Sequence, residues 1–162
     1  MAKSRKIGII VYSGTGNTYL VAEKLKEKLD NMGNATSLER LVVTGGYNPN
    51  TQSGPVRFEN TPDLSGFDAV VFAGPVQAFS LSPVMSSYLS RVTGLKGKTT
   101  ALLTTEAFPY SWLGGAQAIA KMKKLCLGKG AHVTGFGIVN WMRKDRLQRM
   151  ATTVEKLAAA IG

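Results

Sequence analysis

Short runs of apolar residues alternate with longer amphipathic segments along most of this sequence. Short apolar runs bounded by turn residues are typical of buried parallel strands, and apolar positions three and four residues apart are typical of helices. The pattern predicts strands at 6–11, 35–43, 69–73, 99–105 and 131–139. It predicts helices at 17–32, from Ser82 to just before Gly94, at 115–127 and at 144–161. This alternation predicts a single α/β domain over 1–162, with a parallel sheet covered by helices on both faces.

Local signals mark two of the helix ends. Gly33 follows the last apolar position of the first predicted helix and is expected to stop it. Ser82 and Pro83 suit the cap and the first position of the second helix. The segment 44–65 is rich in Gly, Asn, Pro, Ser and Thr and has no clear period. Connections of that length are uncommon in compact domains, so this segment is either a long loop with a function or a mobile segment.

The chain is basic, with 20 Lys and Arg against 10 Asp and Glu and a net charge of +10. Such a surface attracts anions and acidic proteins. The cations are spread along the predicted polar helix faces, and the sequence contains no recognisable nucleic-acid module. We therefore expect a solvated basic surface and no specific nucleic-acid partner.

Cysteine and histidine are too scarce to suggest a metal or disulfide framework. Cys126 is the one cysteine and His132 the one histidine, and neither has partners at metal-ligand spacing. No apolar run approaches the roughly 20 residues that span a bilayer. The basic residues 1–6 lead directly into a strand without a cleavage-type segment. These features predict a cytoplasmic protein without a transmembrane segment or a metal site.

The loop after the first strand carries the strongest chemical signal. In open parallel sheets, ligands bind beyond the carboxyl ends of the strands. The loop joins a strand to a helix whose first N–H groups favour an anion. It combines three hydroxyls, an amide and two glycines in the order Ser13, Gly14, Thr15, Gly16, Asn17 and Thr18. This composition suits a single terminal phosphate enclosed by neutral donors.

Three other interpretations of the loop compete. A Walker loop requires Gly-Lys followed by Ser or Thr, which this sequence lacks here. A dinucleotide loop requires a third glycine where Tyr19 stands, and Glu39 is a weak match to its acidic ribose partner. A tight turn with helix capping alone needs fewer hydroxyls than the loop has.

The loop also resembles that of a known family. Ser-Gly-Thr-Gly-Asn-Thr after Ile-Ile-Val-Tyr is similar to the phosphate loop of flavodoxins and flavodoxin-like flavin mononucleotide (FMN) proteins, including quinone-reductase relatives. The order of elements resembles that family over nearly the whole chain. The resemblance implies a flavodoxin-like three-layer sandwich with a five-stranded sheet in the order 2-1-3-4-5. It also implies FMN over the strand ends, with its phosphate in this loop.

By the same resemblance, the loops after the third and fourth strands hold the flavin. In the first of these loops the implied cofactor-binding residues are Pro75, Val76, Gln77, Ala78, Phe79 and Ser80. In the second they are Thr104, Thr105, Glu106, Ala107, Phe108 and Trp112. Tyr110 or Trp112 is expected to cover the flavin or form a platform for a partner. No residue is predicted to be catalytic.

The resemblance implies a redox flavoprotein that transfers electrons through FMN, a cofactor that itself carries the chemistry. Its partner is either a redox protein or NAD(P)H with a small acceptor. The alternative within that class is an NAD(P)H-dependent quinone oxidoreductase. A flavin-free binding domain of the same fold is the alternative from another class. Carrier flavodoxins are usually acidic, so the charge of +10 favours an acidic partner or an anionic substrate.

Overall fold

The computed structural model describes residues 4–48 and 55–162, and a central β-sheet organises them. The strands are β1 (Lys6–Val11), β2 (Ala35–Arg40), β3 (Ala69–Gln77), β4 (Ser80–Leu81), β5 (Thr99–Glu106) and β6 (His132–Asn140). The helices are α1 (Asn17–Asn31), α2 (Pro83–Arg91), α3 (Gly115–Gly128) and α4 (Arg146–Ile161), with a 3₁₀ turn at Ser111–Leu113. The five long strands pair in parallel in the order β2-β1-β3-β5-β6, and β4 pairs antiparallel with the end of β3. The predicted order 2-1-3-4-5 is confirmed, with β4 as an additional short strand.

The helices form one layer on each face of the sheet because side chains alternate along the strands. Ile7 and Ile9 of β1 belong to a buried cluster that includes residues of α1 and α4. Ile10 of the same strand belongs to a second cluster that includes Met85 of α2 and Met122 of α3. The three-layer sandwich is therefore confirmed.

Both predicted helix signals are present. Gly33 has a left-handed φ of 95°, and its N–H donates to the Asp30 carbonyl at 2.9 Å, so it ends α1 as expected. Ser82 Oγ accepts a hydrogen bond from the Val84 N–H at 3.2 Å, and Pro83 is the first residue of α2. Among the described residues, no helix is both long and apolar enough to cross a membrane.

Two strands differ from their predicted bounds by more than one residue. β2 was expected to reach residue 43 but ends at Arg40. The reason is that the Asn60 side chain binds the backbone on both sides of Leu41. Asn60 Oδ1 accepts from the Val42 N–H at 2.8 Å, and Asn60 Nδ2 donates to the Arg40 carbonyl at 2.6 Å. The chain forms an isolated antiparallel bridge between Val43 and Phe58 instead. Part of the segment 44–65, residues 49–54, lies outside the described residues.

β3 was expected to end at residue 73 but continues to Gln77. A two-residue turn, in which Ala78 has a φ of 52° and Phe79 a φ of 62°, then reverses the chain into β4. Positive φ at both turn residues is the geometry of a type I′ hairpin, which usually contains Asn or Gly. Alanine and phenylalanine gave no sequence signal for this turn.

Candidate functional site

The loops after β1, β3 and β5 meet at the carboxyl edge of the sheet. Thr18 at the start of α1 and Thr105 near the end of β5 are both buried, and their hydroxyl oxygens lie 2.7 Å apart in a hydrogen bond. The Thr104 hydroxyl donates to the Gly74 carbonyl of β3 at 2.7 Å. These two bonds join the three chain segments that the sequence analysis placed at one site.

The loop 13–18 leaves the start of α1 without a side-chain cap. Gly16 occupies the cap position in the left-handed conformation, with a φ of 97°. The Ser13 Oγ accepts a hydrogen bond from the Gly16 N–H at 3.0 Å, which holds the loop closed. The first turn of α1 contains no acidic residue. The N–H groups at this helix start lack intrahelical acceptors and are therefore suited to an anion.

The two threonines of this loop have different environments. Thr15 is exposed, and its side chain makes no hydrogen bond among the described residues. Thr18 is 1% exposed and is engaged with Thr105. Thr15 is therefore free to contact a ligand, whereas Thr18 also connects the loop to the core.

Sequence reasoning missed two residues beside this loop. Arg40 at the end of β2 places its Nη2 3.5 Å from the Ser13 carbonyl oxygen, and its guanidinium carbon lies 5.0 Å from the centre of the Tyr19 ring. Tyr12 is buried at the end of β1, and burial, followed by the neighbouring Tyr47, raises the pKa of its hydroxyl although Arg40 opposes the shift. The Tyr12 hydroxyl therefore stays protonated at neutral pH and can donate. In the order 2-1-3, the end of the second strand lies next to the end of the first, and this could have indicated Arg40. Because β2 was predicted to continue to residue 43, Arg40 was placed within the strand instead.

The β3–β4 hairpin brings the amide of Gln77 to the same loop. A Cβ placed on Gly14 would lie 3.8 Å from Gln77 Nε2 and 3.8 Å from the Tyr12 hydroxyl oxygen. Gln77 Oε1 is buried and has no hydrogen-bond partner among the described residues. A buried acceptor without a partner is costly, so a donor from a bound molecule would relieve it.

The aromatic residues of the site form two stacked pairs. The rings of Phe79 and Phe108 lie 5.6 Å apart with an angle of 6° between their planes, which connects the hairpin to the loop after β5. Tyr110 and Trp112 stack at 5.8 Å with an angle of 14°. Trp112 and Phe79 are respectively 67% and 58% exposed. Exposed aromatic surface at a site edge is typical of a binding surface.

Glu106 lies at the end of β5, and each of its two carboxylate oxygens accepts a hydrogen bond. The carboxylate accepts from the Gly115 N–H at 3.0 Å and from Asn140 Nδ2 at 2.6 Å. Burial raises the pKa of Glu106, and these two hydrogen bonds oppose that shift. A Cβ on Gly115 would lie 2.8 Å from Glu106 Oε1, so the glycine allows α3 to begin against the carboxylate. The hydrogen bonds of Glu106 with Gly115 and Asn140 connect β5 to α3 and β6. A contact of Glu106 with a flavin stays a prediction.

Comparisons with solved structures agree with this fold. A flavodoxin from Streptococcus pneumoniae TIGR4 is 18% identical, with a TM-score of 0.65 over 95% of this chain and 98% of that chain. Oxidised Flavodoxin 2 from Bacillus cereus is 17% identical, with a TM-score of 0.67 over 95% of this chain and 98% of that chain. A flavoprotein in complex with FMN from Lactobacillus acidophilus NCFM is 16% identical, with a TM-score of 0.64 over 83% of this chain and 93% of that chain. No protein-family model matches the sequence, and no curated protein matches it significantly. The chain therefore has the flavodoxin-like α/β fold that the sequence predicted.

Proposed function

We propose that this protein binds FMN at the carboxyl edge of its sheet and transfers electrons through it. The observation that carries the proposal is the uncapped start of α1, enclosed by the hydroxyl-rich loop 13–18. Solved structures of similar fold include a flavoprotein in complex with FMN. FMN, when bound, supplies reversible transfer of one or two electrons, and the protein supplies binding and orientation.

The phosphate end of the ligand would be held by the helix start. Free backbone N–H groups and the Thr15 hydroxyl can donate to a phosphate, and Gly16 has no atom within 4 Å of where a Cβ would stand. Asn17 and Thr18 add donors at the first helical positions. The loop therefore fits one terminal phosphate, as in FMN, better than the bridging pyrophosphate of NAD or FAD.

The ring end would be held by the β3–β4 hairpin and the loop after β5. Phe79 and Phe108 offer exposed aromatic surface at that edge. Gln77 Oε1 offers a buried acceptor that a hydroxyl or N–H of the ligand can satisfy. These groups fit a molecule with an aromatic ring system at one end and a phosphate at the other.

We further propose that the protein acts as a cytoplasmic electron carrier with an acidic redox partner. Four cations, Arg143, Lys144, Arg146 and Arg149, surround the single acid Asp145 at the beginning of α4. Arg143 and Arg149 form ion pairs with Asp145 at 2.9 and 3.0 Å, but one carboxylate cannot neutralise four cations, so the group keeps a net positive charge. The Arg143 Nη1 donates to the Pro109 carbonyl at 3.4 Å, which places this basic group beside the exposed pair Tyr110 and Trp112. An acidic partner surface would complement this rim and accelerate association.

Titration of the apoprotein with FMN tests the cofactor proposal. We expect flavin fluorescence to be quenched with a stoichiometry of about one FMN per chain, and saturable binding to be absent if the chain is a flavin-free domain. Steady oxidation of NADH or NADPH by the loaded protein, with a quinone present and faster than with free FMN, would favour the oxidoreductase over the carrier.

A further inference from the structure

The phosphate loop contains no cation of its own, yet the fold brings one to it. None of the residues 13–18 is Lys or Arg, whereas Arg40 Nη2 lies 3.5 Å from the Ser13 carbonyl oxygen. We propose that Arg40 binds the phosphate of the ligand, so that the site recognises a phosphomonoester dianion by charge as well as by neutral donors. This inference rests on the proposed FMN site and assigns its phosphate selectivity to a residue outside the loop.

The sheet register explains why Arg40 reaches the loop. Arg40 pairs with Val11, the last residue of β1, and β1 continues through Tyr12 into Ser13. β2 ends at Arg40 itself, so the side chain stands at the carboxyl edge rather than within a strand. The strand register therefore places the Arg40 guanidinium on the side of the loop 13–18 that faces β2.

Contacts of the guanidinium keep it against the first turn of α1. Its carbon lies 5.0 Å from the centre of the ring of Tyr19, the third residue of that helix. A cation over an aromatic face is attracted by the ring. The guanidinium thus lies near the helix start whose N–H groups are free for an anion.

Arg40 has no carboxylate partner in the parts of the chain that the structure describes. The ion pairs there are Lys26–Asp30, Lys28–Glu155, Arg143–Asp145 and Arg149–Asp145. Glu39, the nearest acid in sequence, accepts a hydrogen bond from the Ser37 hydroxyl instead. The 3.5 Å approach to Ser13 is at the long limit of a hydrogen bond and uses one of the five guanidinium N–H groups. The positive charge and the remaining donors are available to a ligand.

A phosphate monoester is the chemical partner that fits these donors. It carries close to two negative charges at neutral pH and three acceptor oxygens, and a guanidinium can bind two of those oxygens at once. Riboflavin shares the ring system and ribityl chain of FMN but lacks the phosphate. The ratio of FMN affinity to riboflavin affinity therefore isolates the contribution of Arg40.

The test compares FMN and riboflavin binding to apoprotein variants by fluorescence quenching. We expect Arg40→Gln to weaken FMN binding by about ten- to hundred-fold while riboflavin binding changes by less than about two-fold. Arg40→Met, which keeps an apolar stem against Tyr19, should behave alike. Lys124→Gln, at an exposed position on α3, removes one positive charge away from the site and should leave the ratio unchanged.

The outcomes separate this inference from the proposed function. If the protein binds FMN and either Arg40 variant keeps the original FMN-to-riboflavin ratio, the inference is overturned and the FMN site stands. If Lys124→Gln lowers the ratio as much as Arg40→Gln, overall charge accounts for the effect and the inference is also overturned. If the unaltered protein binds neither flavin, the proposed function fails and the inference fails with it.

Discussion

The two threonines of the loop 13–18, the proposed phosphate site, provide a paired prediction, because the structure gives them different surroundings. Thr15 is exposed, and its side chain makes no hydrogen bond among the described residues, whereas Thr18 is buried against Thr105. Replacing each by valine removes one hydroxyl at nearly constant volume. Both substitutions should weaken FMN binding, but only Thr18→Val should also destabilise the fold.

The magnitudes follow from the partners that each hydroxyl has. A hydrogen bond to a charged group contributes roughly 1.5–3 kcal/mol, and each 1.4 kcal/mol is about ten-fold in affinity. Thr15→Val should therefore raise the Kd for FMN by about ten-fold or more, with a change in unfolding free energy within about 0.5 kcal/mol. Thr18→Val leaves the buried Thr105 hydroxyl without its partner at 2.7 Å, which costs about 1–3 kcal/mol of stability.

Fluorescence titration with FMN and riboflavin measures the binding effect, and urea denaturation of the apoprotein measures stability. The double variant Thr18→Val/Thr105→Val removes both partners, so it should be more stable than Thr18→Val alone. Equal losses of FMN and riboflavin affinity in Thr15→Val would show that this hydroxyl does not contact phosphate. A double variant no more stable than Thr18→Val would contradict the role assigned to the buried bond.

Three further predictions concern stability and reactivity. Burial raises the folded-state pKa of Glu106. The stability of the unaltered protein relative to Glu106→Gln should therefore be greatest below about pH 4.3 and decrease as the pH rises through the folded-state pKa. Urea titrations in which this relative stability increases with pH would refute the prediction. A Cβ on Gly137 would lie 2.3 Å from Thr153 Cγ2, so Gly137→Ala should lower the midpoint of urea unfolding by an amount equivalent to about 1–3 kcal/mol. Gly66→Ala, with no atom within 4 Å of the new Cβ, is the control and should be near neutral. Cys126 is buried with its pKa raised to about 12, so a thiol reagent should label it only on unfolding, and rapid labelling of the folded protein would contradict this.

The sequence was sufficient for the layers and for two helix ends because those features depend on local and periodic signals, whereas the strand order came from the resemblance to flavodoxins. The apolar run at 6–11 is a fully buried central strand apart from its first residue. Gly33 and Ser82 marked helix ends through backbone geometry and side-chain capping, which act within a few residues. Such short-range causes can be inferred from one sequence.

Features that depend on contacts between distant segments could not be inferred in the same way. β2 ends at Arg40 because Asn60, twenty residues later, binds the backbone there. The hairpin after β3 has a left-handed conformation at Ala78 and Phe79, which the local propensity of these residues disfavours. Packing of Phe79 against Gly114 and Phe108 supports this conformation. The hydrogen bonds of Glu106 with Gly115 and Asn140 likewise needed the folded arrangement.

The proposed cofactor is tested by identifying the flavin that the protein carries. Protein purified without added cofactor, or reconstituted with a mixture of FMN, FAD and riboflavin, can be denatured and the released flavin identified by mass spectrometry. We expect FMN at about one molecule per chain, because the neutral loop 13–18 and Arg40 fit a single terminal phosphate. Release of FAD or riboflavin in preference to FMN, or of no flavin after reconstitution, would contradict it.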